Sequence, residues 1–290
     1  MSWRIVEISN RAKLDMKMNY LIIRKEDITK IHLSEISVLI IESTAVSLTA
    51  ALIVELAKRK IKVIFCDEKR NPIAENISYY GSHDTSLKVR TEINWNDNTK
   101  KCVWTKLVTE KILKQKELLA KLDKQEYKKL DKYLGEIEFY DVTNREGHAA
   151  KVYFNSLFGK DFTRSKDNNI NAALNYGYAI LLSAFNREIV SNGYITQLGL
   201  FHDNVYNMFN LSCDLMEPFR PLVDECVYFI DHENFMHDEK IELVNLLNKE
   251  VLIDNKKQYV NNAIKIYCKS ILDALDNNDI SKIKDYRNEL

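Results

Sequence analysis

"NTKKCVWTKLVTEKILKQKELLAKL", residues 98–122, is where the chain changes its period. Apolar residues recur there every three or four positions with no Gly or Pro between them, which predicts one long helix. Upstream the pattern is different. "WRIVEIS", "KLDMKMN", "YLIIRK" and "SVLIIES" are short, partly alternating and, as a set, rich in Ile, Val and Tyr; they read as strands. "STAVSLTAALIVELAKRKI" then places Ala45, Leu48, Leu52 and Leu56 at helical spacing, with Ser43 or Thr44 as the cap. "KVIFCDE" is a strand again.

Between 69 and 96 the periodicity loosens, and the first Pro and Gly of the chain, Pro72 and Gly81, fall there. This segment reads as a linker, with at most an extended pair of strands. Downstream of 98–122 helices dominate. "TNREGHAAKVYFNSLFG" is one, with Thr143 and Glu146 at capping-box spacing, and "NNINAALNYGYAILLSAFNREIVSNG", ended by Gly193, is another. Two or three more reach the C-terminus. The expected fold class is α+β: a small β-rich N-terminal domain (1–68), a linker (69–96) and a larger all-α C-terminal domain (97–290).

Composition narrows the class. A chain with 46% hydrophobic and 29% charged residues can build a globular core, and only 7 Gly and 3 Pro in 290 residues argue against a turn-rich sandwich or barrel. Its longest apolar runs, "SVLII" and "AILLSAF", fall far short of the roughly 20 residues that span a bilayer, so no membrane partner is expected. Five cysteines, an odd number without a CxxC pair, and an N-terminus that lacks the pattern of a signal peptide suggest a reduced, cytoplasmic protein.

The formal net charge of zero conceals local imbalance. Lys100–Lys132 holds eleven Lys against five acids, and His202–Lys240 holds nine acids against two basic residues. A cationic face and an anionic pocket fit that distribution, although a solvated helix face explains the lysines equally well.

The acidic segment contains "GLFHDNVYNMFNLSCDLMEPFRPLVDE", residues 199–225. Leu211, Leu215, Phe219, Leu222, Val223 and Val227 lie on one helical face, with Ser212 as the expected cap. Asp214 and Glu217 project together from an adjoining face. Pro218 and Pro221 set the direction of the chain beyond Glu217. On a straight helix His202 and Glu217 would stand roughly 22 Å apart, so they cooperate only if the chain reverses near 207–212. One imidazole with carboxylate oxygens makes a hard site, better suited to Mg²⁺ or Mn²⁺ than to Zn²⁺. Glu146, beside Gly147, is the candidate third ligand. Each residue also has a plainer reading: Glu146 as a capping-box partner, His202 as a packed core histidine, and the acidic pair as surface. Spacing alone does not choose.

Taken together, "SWRIVEISNRAKLDMKMNYLIIR", "REGHAAKVYF", "NAALNYGYAILLSAFNREIVSNGY", and "LGLFHDN" followed by "FNLSCDLMEPFRPLVDE" resemble the CRISPR-associated integrase and endonuclease family (the Cas-one proteins), closest to its type II branch. The resemblance implies an N-terminal domain that forms a homodimer and a helical domain with a Mg²⁺ or Mn²⁺ site. Motif position puts the catalytic metal ligands on Glu146, His202 and Glu217, with Asp214 as a supporting acid. The implied reaction inserts short duplex DNA (prespacers) into a repeat array by 3′-OH attack on phosphodiesters.

Double-stranded DNA and a small second CRISPR-associated protein are the implied partners, with other type II adaptation proteins and the RNA-guided effector nuclease as further ones. The lysines of 100–132, with Lys151, Lys160, Arg164, Arg187 and Arg220, are candidates for the DNA backbone; Arg220 serves equally well as a partner of Glu217 or Asp224. Two other readings stand beside this one. An all-helical HD-type metal phosphohydrolase would use His202-Asp203 with His148, and a non-catalytic DNA-binding scaffold would need no ligands at all.

Overall fold

A computed structural model describes residues 4–78, 82–231 and 235–288. Two compact units result: Met1–His83 with Val190–Asn192, and Asp84–Ile189 with Gly193–Leu290.

In the first unit, strands β1 (Arg4–Ile8), β2 (Ala12–Lys17), β3 (Tyr20–Arg24), β4 (Ile28–His32), β5 (Ile36–Ile41) and β6 (Val46–Leu48) precede helix α1 (Ala50–Lys58). Strands β7 (Lys62–Cys66) and β8 (Pro72–Glu75) follow it. They form two four-stranded sheets, ordered β1-β5-β7-β8 and β4-β3-β2-β6. β5 is "ISVLII", buried at every position, as expected of a strand with parallel neighbours on both sides. β2 and β3 pair antiparallel, with Leu14 opposite Ile23. One apolar core unites Ile8, Leu14, Leu21, Leu39, Leu52 and Leu56.

The helix expected from Ser43 starts later. Residues 46–48 pair parallel with β2, and this sheet bonding holds them extended. α1 is capped instead by Thr49, whose Oγ1 accepts from Leu52 N at 3.3 Å. The stretch read as a linker, 69–96, also carries regular structure. β8 pairs antiparallel with β7, and α2 (Thr85–Ile93) belongs to the second unit. Gly81 lies outside the described residues.

The second unit continues with α3 (Asp97–Lys121), α4 (Tyr127–Gly135), α5 (Arg145–Phe158), α6 (Asn169–Ser191), α7 (Asn210–Leu215), α8 (Arg220–Phe229) and α9 (His237–Asn245). Strands β9 (Glu250–Ile253) and β10 (Lys256–Tyr259) lead into α10 (Val260–Asn277). The β9–β10 hairpin corrects the all-α expectation. Its two-residue loop, Asp254-Asn255, has both residues left-handed (φ 53° and 59°), the geometry that matches strand twist. Four residues on each side are too few to stand out against a helical background.

α3 is the axis of this unit and packs against α4, α5, α8, α10 and the 3₁₀ turn Glu217–Phe219. α6 is buried on most of its faces, and it approaches α8 closely at Gly177. A Cβ there would lie 2.5 Å from Val223 Cγ1. Among the described residues no helix is long and apolar enough to cross a membrane.

Candidate metal centre

Glu146 stands in the first turn of α5, and the start of that helix explains why its carboxylate is available. The expected Thr143–Glu146 capping box does not form. Asn144 is the cap, held left-handed at φ 52°, and its Oδ1 accepts from Gly147 N at 3.2 Å. Asp141 accepts from Arg145 N at 2.8 Å and from Glu146 N at 3.0 Å. The helix end is thereby satisfied without Glu146. Gly147 makes this possible, because a Cβ there would come within 2.7 Å of Asn144 Oδ1.

Glu217 opens the 3₁₀ turn between α7 and α8, and Pro218 and Pro221 sit in the first positions of that turn and of α8, where a missing N–H costs little. Ser212, the expected cap, lies inside α7. Glu217 is buried; its Oε1 accepts from Arg220 Nε at 2.9 Å, and Arg220 in turn packs on the Tyr178 ring, 4.7 Å from its centroid. The other oxygen, Oε2, is 2.5 Å from Lys111 Nζ but has no hydrogen bond of acceptable geometry. Burial pushes the Glu217 carboxyl up, but the Arg220 and Lys111 cations outweigh it and hold it at about 2.

Lys111 joins the two acids. It projects from the middle of α3, and its buried ammonium contacts Glu146 Oε1 as well as Glu217. Burial lowers the Lys111 pKa, the two carboxylates raise it, and the result is a raised value.

His202 lies in the loop before α7, so no straight helix separates it from Glu217. Its Nδ1 is 2.5 Å from Asp214 Oδ1. Asp214 is fully buried and also accepts from the backbone N–H groups of Leu200 (2.6 Å), Phe201 (3.1 Å) and His202 (3.2 Å). Asp214 therefore serves as the anchor of this loop. Gly199 permits the turn, since a Cβ there would meet His202 O at 2.1 Å. The hydrogen bond to Asp214 raises the His202 pKa against burial, and with Nδ1 engaged by Asp214 the other ring nitrogen, Nε2, is the one left for a further partner.

Lys111 thus brings Glu146 and Glu217 together, and His202 stands close enough for Glu217 to act on its charge. The three are not collapsed onto one point: among the described residues of this unit, no group of three such side chains has its ligand atoms all within 4.8 Å of one another. The donor set still fits a hard divalent cation. A cation already bridges the two carboxylates, and an imidazole lies near enough to one of them to feel its charge.

Sequence reasoning missed Lys111. The signal was present: Trp104, Leu107, Lys111, Gln115 and Leu118 follow one buried stripe of α3, where a lysine needs a partner. It also missed the clamp on Asp224, which accepts from Tyr153 Oη at 2.9 Å and from Tyr178 Oη. Arg220 is paired with Glu217, Arg164 is bound to Asn171 and Asn175, and Arg187 is bound to Glu188 and Asn261. His148 lies beside the Tyr133 ring, 6.2 Å between centroids, and among the described residues nothing joins it to His202, so the phosphohydrolase reading has no observation behind it.

Residues 6–250 match the family described as "CRISPR associated protein Cas1". A "CRISPR-associated endonuclease Cas1" of Neisseria meningitidis serogroup C (strain 8013) is 33% identical over 263 residues, 88% of this chain and 86% of that one. Among solved structures, a "Casposase bound to integration product" superposes with a TM-score of 0.77 at 19% identity, covering 97% of this chain and 94% of the other. A chain of a "Cas6-RT-Cas1--Cas2 complex" gives 0.72 at 19% identity over 97% of this chain and 36% of that longer one. At these identities the structural likeness is one of fold.

Proposed function

The chain belongs to the CRISPR-associated Cas1 family, and from that premise we propose that it is a divalent-metal-dependent DNA integrase and endonuclease of CRISPR adaptation. The observation that carries the metal dependence is the gathering of Glu146 and Glu217, from separate elements, on one buried cation beside an oriented imidazole. Glu146 and Glu217 would hold Mg²⁺ or Mn²⁺ through oxygen and His202 through Nε2. Such an ion, when bound, promotes deprotonation of a 3′-hydroxyl and neutralises charge on the phosphodiester under attack.

The chain's own groups prepare that site. Arg220 fixes the Glu217 carboxylate and keeps it ionised. Asp214 fixes the tautomer of His202 and the loop that carries it. Lys111 supplies positive charge beside the reacting phosphate.

The proposed substrates are a short duplex with 3′-hydroxyl ends and a repeat array, joined by 3′-OH attack on a phosphodiester. A homodimer built through the β-rich unit and a small second CRISPR-associated protein complete the proposed assembly. A solved relative named as a Cas1–Cas2 complex and a casposase named as bound to its integration product support both the partner and the reaction type. A cytoplasmic location, and contacts with other type II adaptation proteins and the RNA-guided effector nuclease, belong to the same proposal.

The test is strand transfer from a 3′-OH duplex into a supercoiled repeat plasmid, with the small partner present, in Mn²⁺ or in EDTA. Product should form only with the metal and should be lost in Glu146→Gln, Glu217→Gln and His202→Ala. Product that persists in EDTA, or in Glu146→Gln, defeats the reading.

A further inference from the structure

We propose that Phe201, backed by Trp104 and flanked by Tyr140, is a stacking subsite for an unpaired nucleobase at the reacting end of the donor strand. This inference rests on the function proposed above and extends it to a residue adjoining the metal centre.

Phe201 lies face to face on Trp104, with 4.4 Å between centroids and 1° between planes. The Tyr140 ring meets Phe201 edge-on at 5.5 Å, and the His202 ring does so at 5.9 Å. Trp104 is 3% exposed and Phe201 47% exposed, so a parallel stack runs from the core to solvent and ends in an uncovered ring. That ring is held in place, because the Phe201 N–H donates to Asp214, the carboxylate that also orients His202.

Ordinary packing does not account for the arrangement. Phe201 leaves about half of its surface in water, which forfeits burial energy. The Trp104 indole N–H is buried with no acceptor among the described residues, itself a cost. Tyr140 adopts φ 63°, an uncommon conformation for a tyrosine, while its N–H donates to Thr105 Oγ1 at 2.7 Å. The cluster therefore presents aromatic area at several local costs.

Charge completes the chemistry. Lys101 Nζ sits over the Tyr140 ring, 5.6 Å from its centroid, and pairs with the exposed Asp97, a contact that water and salt weaken. An open aromatic face with a cation beside it is how single-stranded nucleic acid is bound without sequence preference. The 5.9 Å between the Phe201 and His202 rings places a base stacked on Phe201 in the nucleotide that carries the reacting 3′-hydroxyl, or in its neighbour.

The experiment uses the full chain in EDTA, so that no turnover intervenes. Donor duplexes carry 2-aminopurine either as an unpaired 3′-terminal base or within the duplex. Binding should quench the terminal probe and leave the internal one unchanged. Phe201→Leu keeps an apolar contact with Trp104 but removes the aromatic face. It should lose most of the quenching and lower the affinity ratio of overhang donor to blunt donor about tenfold. Phe201→Trp should restore both.

Undiminished quenching in Phe201→Leu, or an unmoved affinity ratio, overturns the subsite. So does a Phe201→Leu protein that loses only its hold on the small partner, which would make the ring a protein contact. A wild type that transfers strands while the terminal probe stays bright defeats the subsite and spares the proposed reaction. A wild type that quenches the probe but transfers no strands does the reverse.

Discussion

Glu217 and Asp224 share one short segment, yet their acidities are driven apart. Burial raises both. Around Glu217 the Arg220 and Lys111 cations prevail and leave the carboxyl at about 2; around Asp224 burial prevails over two tyrosine hydroxyls and lifts it to about 6. The linkage signs are therefore opposite. Glu217, depressed from 4.5, contributes stability that is present above pH 4.5 and lost as pH falls through about 2. Asp224, raised from 3.8, contributes stability that is present below pH 3.8 and lost as pH rises through about 6. That loss is on the order of 3 kcal/mol. Melting temperature should decline from pH 4 to 6 through this term, and Asp224→Asn should flatten that part of the profile; an unchanged slope would show that other groups set it. Lys111 makes a second prediction at this scale. In Lys111→Met the two acids lose the cation between them and Glu217 keeps only Arg220, which should destabilise the protein in EDTA by about 3–5 kcal/mol. Mn²⁺ should then raise the melting temperature of the variant more than that of wild type, and equal shifts would separate the ion's position from that of the ammonium.

At the level of elements, two glycines and a cap determine where α5, α6 and α8 lie. Gly177→Ala would drive a methyl against Val223 and part α6 from α8, at about 1–3 kcal/mol in a denaturant titration. Because Tyr178 and Arg220 meet across that contact, strand transfer should fall along with stability. At the start of α5, Asn144→Gly should lose only the cap bond to Gly147, on the order of a few tenths of a kcal/mol. Asn144→Ala should lose more, since alanine tolerates φ 52° poorly. Midpoints in the opposite order would refute this account of the turn. These elements also show what the sequence could reveal. β5 and α3 were legible because long apolar patterns report burial directly, as did the change of period at 98. β6, β8 and the β9–β10 hairpin were not, since three or four residues carry no period and their pairing partners lie elsewhere in the chain. Glu146, His202 and Glu217 were legible as motifs. The capping by Asp141 and Asn144, and Lys111 between the acids, depend on contacts that spacing does not encode.

Across the whole molecule, neutrality has a structural basis in the pairing of cations. Within the lysine-rich segment, Lys111, Lys114, Lys116 and Lys121 are each bound to a carboxylate, while Lys128 and Lys129 are exposed. DNA affinity should thus respond to salt less steeply than eleven free lysines would require, each phosphate contact adding about 0.9 to the slope of log K against log salt. Lys129→Ala should reduce that slope and Lys114→Ala should not; equal effects would mean that the paired lysines are recruited on binding. The ammonium of Lys111 has one more consequence, and it concerns the order of events in the life of the protein. A chain whose clustered acids had no internal counter-charge would have to wait for an ion before it could close its core. Here the counter-charge comes with the polypeptide, so the core can close around its acids without borrowing a charge from solution.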